Sequence, residues 1–298
     1  MRGGPLRRVG RLKAREANMS GAVGRATGCG RLFLALLIWQ ILVCAGAAEE
    51  VRGECYRFIY NSSDFPATEV ESFASESEPL CRELKATLGV QRNEPIPVYL
   101  RPGQGVSSTI PYRNQAMDLY YMRPINGVPA PLVHETTHIL VDSPHLVLRE
   151  GLATVMEERI GSLKAHPTYG FTLEDWMGAI QCAGRQVSLS YLETRDWREG
   201  PWEANLIAYT TSGSFVKFLI ERYGLDAVVK AMQWNWKGRK PTMDRVCELV
   251  FNEPLESVEK AWREEMERVG LTSGARGMCQ ALREGRLQEF LAERLRLP

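Results

Sequence analysis

His134-Glu135-Thr136-Thr137-His138 is the stretch on which both architecture and chemistry turn. The chain has four histidines, and two of them stand four residues apart with a glutamate directly after the first. On a helix that spacing puts both imidazoles on one face, one turn apart, where they can bind one metal ion. Glu135 is then placed to act on a water molecule rather than to bind the metal. The flanks Leu132, Val133, Thr136, Thr137, Ile139 and Leu140 are all uncharged, as suits a helix buried at an active site. This reads as zinc hydrolase chemistry. The plainer alternative is a pair of core histidines with satisfied hydrogen bonds.

A hydrolytic zinc site usually has three protein ligands and one position open to water. A third histidine six residues beyond His138 is ruled out, because that position is Pro144 and His145 is one out of register. A glutamate on the next helix is the other standard solution, and there are two candidates. Glu150 sits in Arg149-Glu150-Gly151-Leu152-Ala153, where Gly151 and Ala153 would let this helix approach the metal helix closely. Glu157 lies two turns further along the same face. The bland reading of Glu157 and Glu158 is a solvated helix surface.

Working outward, Tyr56–Tyr60, Ile96–Leu100 and Met117–Met122 read as strands, and residues 67–88 as a helix stopped by Gly89. A Gly- and Pro-rich loop spans 101–113. Pro129 and Pro131 open the metal helix, in a first turn that tolerates proline. Past Gly151 the pattern is nearly all helical, with apolar stripes over 201–223, 255–268 and 278–296. The expected fold is α+β, with an N-terminal lobe over about 49–140 and a helical lobe over about 141–298. The strand at 117–122 precedes the metal helix, and if its outer edge is free a substrate could add to it as an extended strand.

His134-Glu135-Thr136-Thr137-His138 followed by Glu150-Gly151-Leu152-Ala153-Thr154 resembles the gluzincin zinc peptidases of the MA-like superfamily. The strong match covers about 20 residues; the stretch from Ala208-Tyr209 to Tyr223-Gly224 is more weakly similar to a later helix of that family. The resemblance implies a zincin-like fold, one Zn2+ held by His134, His138 and Glu150, and Glu135 as general base in peptide hydrolysis. Relatives also place a tyrosine or histidine from the later helix on the oxyanion, a role that falls here to Tyr209, whose alternative is an ordinary core tyrosine. Val147 stands where the family usually has Trp. The gap from His138 to Glu150 also departs from the aminopeptidase branch, whose spacing Glu157 would meet; local sequence favours Glu150.

The net charge of +1 leaves no electrostatic footprint for nucleic acid. Residues 1–31, however, hold eight Arg and Lys against the single acid Glu16. An apolar stretch from Leu32 and a run of small residues at 45–48 follow, which together make a secretory signal peptide over 1–48 or an uncleaved membrane anchor through 32–48. The folded part is therefore expected outside the cytoplasm, secreted or periplasmic. Of the cysteines beyond residue 48, Cys55 and Cys81 could tie an early strand to the first helix. Five such cysteines are an odd number, so at least one stays free or pairs with another chain. The leading expectation is an exported zinc peptidase acting on peptide or protein substrates. The rival is a binding or scaffold protein that keeps the fold and the zinc without turnover, for which Glu135 would be superfluous.

Overall fold

Alternation of buried and half-buried residues builds the first lobe. In the computed structural model, which describes residues 48–103, 105–110, 116–120, 128–234 and 241–295, β1 (Ala48–Arg52) pairs antiparallel with β2 (Tyr56–Asn61). Tyr56, Phe58 and Tyr60 of β2 are buried, as are Ile96, Val98 and Leu100 of β3 (Ile96–Arg101). Between these parallel strands runs α1 (Ala67–Leu88), whose Val70, Ala74, Cys81, Leu84 and Leu88 are buried in the same core. The helix ends at Gly89 in the left-handed region (φ 65°) that glycine adopts without penalty. A disulfide between Cys55 and Cys81 ties α1 to the sheet, as the sequence suggested.

The sheet has the order β1-β2-β3-β5-β4, with β5 (Ala116–Tyr120) parallel to β3. Here one expectation is corrected. The outer edge of β5 is not free, because β4 (Ser108–Ile110) pairs antiparallel along it, with Thr109 opposite Met117. This three-residue strand comes from the stretch read as loop; it is too short and too polar to show a period of its own. Positions 121 and 122 of the expected strand, and the leader over 1–47, lie outside the described residues.

The metal helix, α2 (Leu132–Leu140), starts after Pro131, so both prolines precede its first turn rather than occupying it. Next comes α3 (Leu146–Arg159), buried over nearly its whole length, with no solvated stripe. It packs between α2 and the long α6 (Trp202–Tyr223). Before α6 come α4 (Leu173–Ala183), the short α5 (Leu189–Leu192) and a 3-10 turn at Asp196–Glu199. Phe215, Phe218 and Leu219 of α6 are buried, as their stripe required. Gly151 works differently from expectation: a Cβ there would meet the Ser212 carbonyl oxygen and Val216 Cγ2, each at 2.5 Å, so it permits close approach to α6 rather than to α2.

Beyond α6 lie α7 (Leu225–Gln233), a short α8 (Met243–Val246) continued by a π-turn to Phe251, and α9 (Leu255–Val269), which buries Val258, Trp262 and Met266. The pattern over 278–296 is not one helix. It breaks at Gly285 (φ 67°) into α10 (Ser273–Glu284) and α11 (Leu287–Leu295). The outcome is a mixed α+β fold with a five-stranded sheet on the N-terminal side and a mostly helical remainder. Among the described residues no helix is long and apolar enough to cross a membrane.

A second disulfide, Cys182–Cys279, joins α4 to α10 across 97 residues, and Cys247 is free and buried. A cross-link closing so long a loop constrains the unfolded chain strongly. Replacing both cysteines with serine should cost about 2–5 kcal/mol, read as a lower midpoint in urea unfolding with an intact far-ultraviolet spectrum at zero urea.

Candidate metal centre

On α2 the imidazoles of His134 and His138 meet edge to face, with centroids 4.8 Å apart. From α3, Glu150 turns Oε2 towards both, 3.4 Å from Nε2 of His134 and 3.1 Å from Nε2 of His138. These three residues form a group able to hold a metal ion, with all ligand atoms within 4.8 Å of one another. A tetrahedral ion with bonds of about 2.0–2.2 Å needs donors spaced about 3.3–3.6 Å apart, and the two carboxylate–imidazole separations, 3.4 and 3.1 Å, lie close to that spacing. Both Nδ1 atoms are buried without a partner among the described residues.

Charge and hydrogen bonding act together within this cluster. Burial alone would raise the Glu150 pKa, but the charge on His138 and hydrogen bonds from both imidazoles hold it well below the ordinary carboxylate range. Burial would lower His138, and the Glu150 carboxylate overrides it to push that imidazole up. An incoming metal must displace the proton so held, and its affinity therefore falls in acid.

Glu157 does not join the cluster. Its Oε2 accepts from the backbone N–H of His134 at 2.8 Å and its Oε1 from that of Ser162 at 2.9 Å. Pro131 offers no side-chain cap to α2, and Glu157 serves one of the orphan donors of that first turn from the neighbouring helix. Nor are Glu157 and Glu158 a solvated surface. Glu157 is 1% exposed, and Glu158 accepts from the Leu173 N–H and from Lys217 Nζ. The misreading has a physical cause: α3 is enclosed on several sides, so its acids are buried and individually satisfied.

The remaining expected residues surround the cluster. Glu135 is buried, and Thr109 on β4 donates to its Oε2 at 3.1 Å. Tyr209 lies on α6 with its ring 5.8 Å from that of His134. Its hydroxyl has no hydrogen-bond partner among the described residues, and burial together with the Glu150 charge raises its pKa, keeping it a proton donor. His145 is buried beside Glu193, apart from the cluster.

Several neighbours escaped the sequence. His166 packs edge-on against Tyr209, with centroids 5.0 Å apart, and burial lowers its pKa to about 3. Trp197 supports the same tyrosine ring at 4.9 Å and is itself fixed by a hydrogen bond to the Leu192 carbonyl. Arg149 and Arg198 both reach Oε1 of Glu150, at 3.1 and 3.0 Å. Adjacency to Glu150 was a usable signal for Arg149; nothing local marks His166 or Arg198. No family model, curated protein or solved structure matches the chain.

Two substitutions separate the neighbouring glutamates. Glu150→Ala should weaken metal binding by more than the roughly 10–100-fold that outer-shell partners contribute, whereas Glu157→Gln, which keeps an acceptor, should retain full metal content by atomic absorption. Burial raises the Glu157 pKa from its ordinary 4.5 to about 7. The folded chain therefore holds that proton over a range where the unfolded chain has lost it. Stability of the metal-free protein should decline as pH rises from about 4.5 through about 7, and Glu157→Gln should flatten that decline in urea titrations.

Proposed function

We propose that this chain is an exported zinc-dependent peptidase of the gluzincin type. The observation that carries the reading is the convergence of two imidazole nitrogens and one carboxylate oxygen from successive helices, with Glu135 directly beside them in sequence. Two imidazoles and one carboxylate are a donor set that suits zinc in hydrolytic sites. Zinc bound there supplies Lewis acidity and brings the pKa of water to about 7.

Glu135 acts as the general base, accepting a proton from water and delivering it to the leaving amine. Thr109 holds one oxygen of that carboxylate, which limits its rotation and leaves the other oxygen to handle the proton. Tyr209, wedged between the rings of His134, His166 and Trp197, presents a protonated hydroxyl. It stabilises the oxyanion that forms as water adds to the peptide carbonyl. Because β4 covers β5, an extended substrate adds along β4 instead. Export is supported by the basic-then-apolar leader in the sequence and by two disulfides, which persist in oxidising compartments.

A scaffold without turnover has no use for the base. Glu135→Gln should keep zinc at the wild-type stoichiometry while lowering kcat for peptide cleavage by about 100-fold or more. Cleavage by that variant at the wild-type rate would refute the mechanism. Tyr209→Phe should lower kcat by about 100-fold with little change in KM; a change confined to KM would move Tyr209 from the oxyanion to substrate binding.

A further inference from the structure

Two guanidinium groups on a single carboxylate oxygen are more than the orientation of Glu150 requires. Arg149 approaches Oε1 through Nη2 at 3.1 Å and Nε at 3.4 Å, and Arg198 through Nη1 at 3.0 Å. Neither forms a two-oxygen fork with Glu150, because Oε2 faces the imidazoles. Arg149 Nη1 and Arg198 Nε and Nη2 have no protein partner among the described residues, so each guanidinium keeps an unused donor edge. The Glu150 side chain is 4% exposed, whereas those of Arg149 and Arg198 are 29% and 35% exposed. The arginines therefore reach the centre from the solvent side, one carboxylate group away from the position where a metal would sit.

The charge count gives the direction. With a divalent cation in place, four positive charges face the two negative charges of Glu135 and Glu150. The metal also draws on the Glu150 charge, which leaves the two like-charged guanidiniums poorly compensated. An anion supplied by the substrate corrects that imbalance, and a planar carboxylate matches the guanidinium fork. The backbone that carries Arg198 is anchored by its neighbour Trp197, which is fully buried and hydrogen-bonded to the Leu192 carbonyl.

We propose that Arg149 and Arg198 are specificity-determining residues that receive a substrate carboxylate beside the scissile bond. That carboxylate is either the C-terminus of the peptide or an acidic side chain. The placement of that anion beside a scissile bond rests on the peptidase reading, whereas its binding to the two arginines does not.

The test uses an N-acetylated alanine–leucine hexapeptide as free acid, the same peptide amidated, and amidated versions carrying one glutamate at each position in turn. Zinc-loaded wild type should cleave the free acid, or one of the glutamate peptides, about tenfold or more faster in kcat/KM than the plain amide. Preference for the free acid identifies the C-terminus as the source, and preference for a glutamate peptide identifies the side chain. Arg149→Ala/Arg198→Ala should abolish the preference while retaining zinc. The same discrimination should appear in calorimetric titration of zinc-loaded Glu135→Gln, with no turnover needed.

Equal binding of acid, amide and glutamate peptides by Glu135→Gln overturns the proposal, as does a preference that survives in the double variant. A double variant that loses its zinc assigns the arginines to holding Glu150 and overturns it as well. Cleavage without discrimination leaves the peptidase reading standing alone. Discriminating binding without any turnover leaves the anion site standing and removes the peptidase reading.

Discussion

The buried carboxylate of Glu150 is the constraint around which the helical lobe is organised. A carboxylate enclosed to this degree is strongly destabilising unless both oxygens find compensating charge or hydrogen bonds. One oxygen takes two imidazoles from α2 and the other takes two guanidiniums, one from α3 itself and one from the turn before α6. Three separate segments are thus drawn to one group. The same arrangement that makes this point able to hold a metal ion makes it a structural junction.

Close helix packing converts that junction into a fixed geometry. Gly151, next to Glu150, lies against the backbone of Ser212, and Gly213 one residue on lies against Thr154 of α3. A methyl group at either place would collide at under 3 Å, with backbone in the first case, so small residues set the separation of α3 from α6. Tyr209 stands one turn before Gly213 on that same α6. The distance from the carboxylate ligand to the tyrosine is therefore set by helix contact rather than by loop length. Trp197 and His166 brace the tyrosine ring from outside the pair. This is how the site gains rigidity from elements that carry no metal ligand.

What could be read from the chain followed the range of the interaction. His134, Glu135 and His138 are coupled through one helical turn, and the four-residue separation of the two histidines states that turn directly in the sequence. Glu150 was legible because the small residues after it advertise a close contact, although the contact is with α6 and not with α2. The first helix and its stop at Gly89 were legible for the same local reason. The misses are long-range. Strand β4 exists because β5 offers it an edge, and three residues carry no period that could announce this. Arg198 lies 48 residues from its carboxylate partner, and an arginine's exposed stem looks the same whether its head meets water or a buried acid. Glu157 was misread because a helix enclosed all round has lost the polar stripe by which solvent-facing acids are recognised.

The proline that opens α2 explains why Glu157 has to be an acceptor and has to be inside. Helix starts commonly satisfy their first N–H groups with a serine, threonine or aspartate cap; α4 does so through Thr172, and α10 through Thr272. At α2 the cap position is Pro131, which has no acceptor in its side chain, and the first turn is too deeply buried for solvent to serve as a substitute. An acceptor must come from another element, and α3 reaches across with Glu157 to the N–H of His134 itself. The consequence is a double tie between the two ligand-bearing helices. Glu150 joins them at the metal-facing side chains, and Glu157, two turns later, joins them at the backbone of the first ligand. Two attachments two turns apart along α3 fix the crossing of the helices as well as their distance. A site able to hold a metal ion with one coordination position open would benefit from this, because its three donors are held in place by the fold and not by the ion.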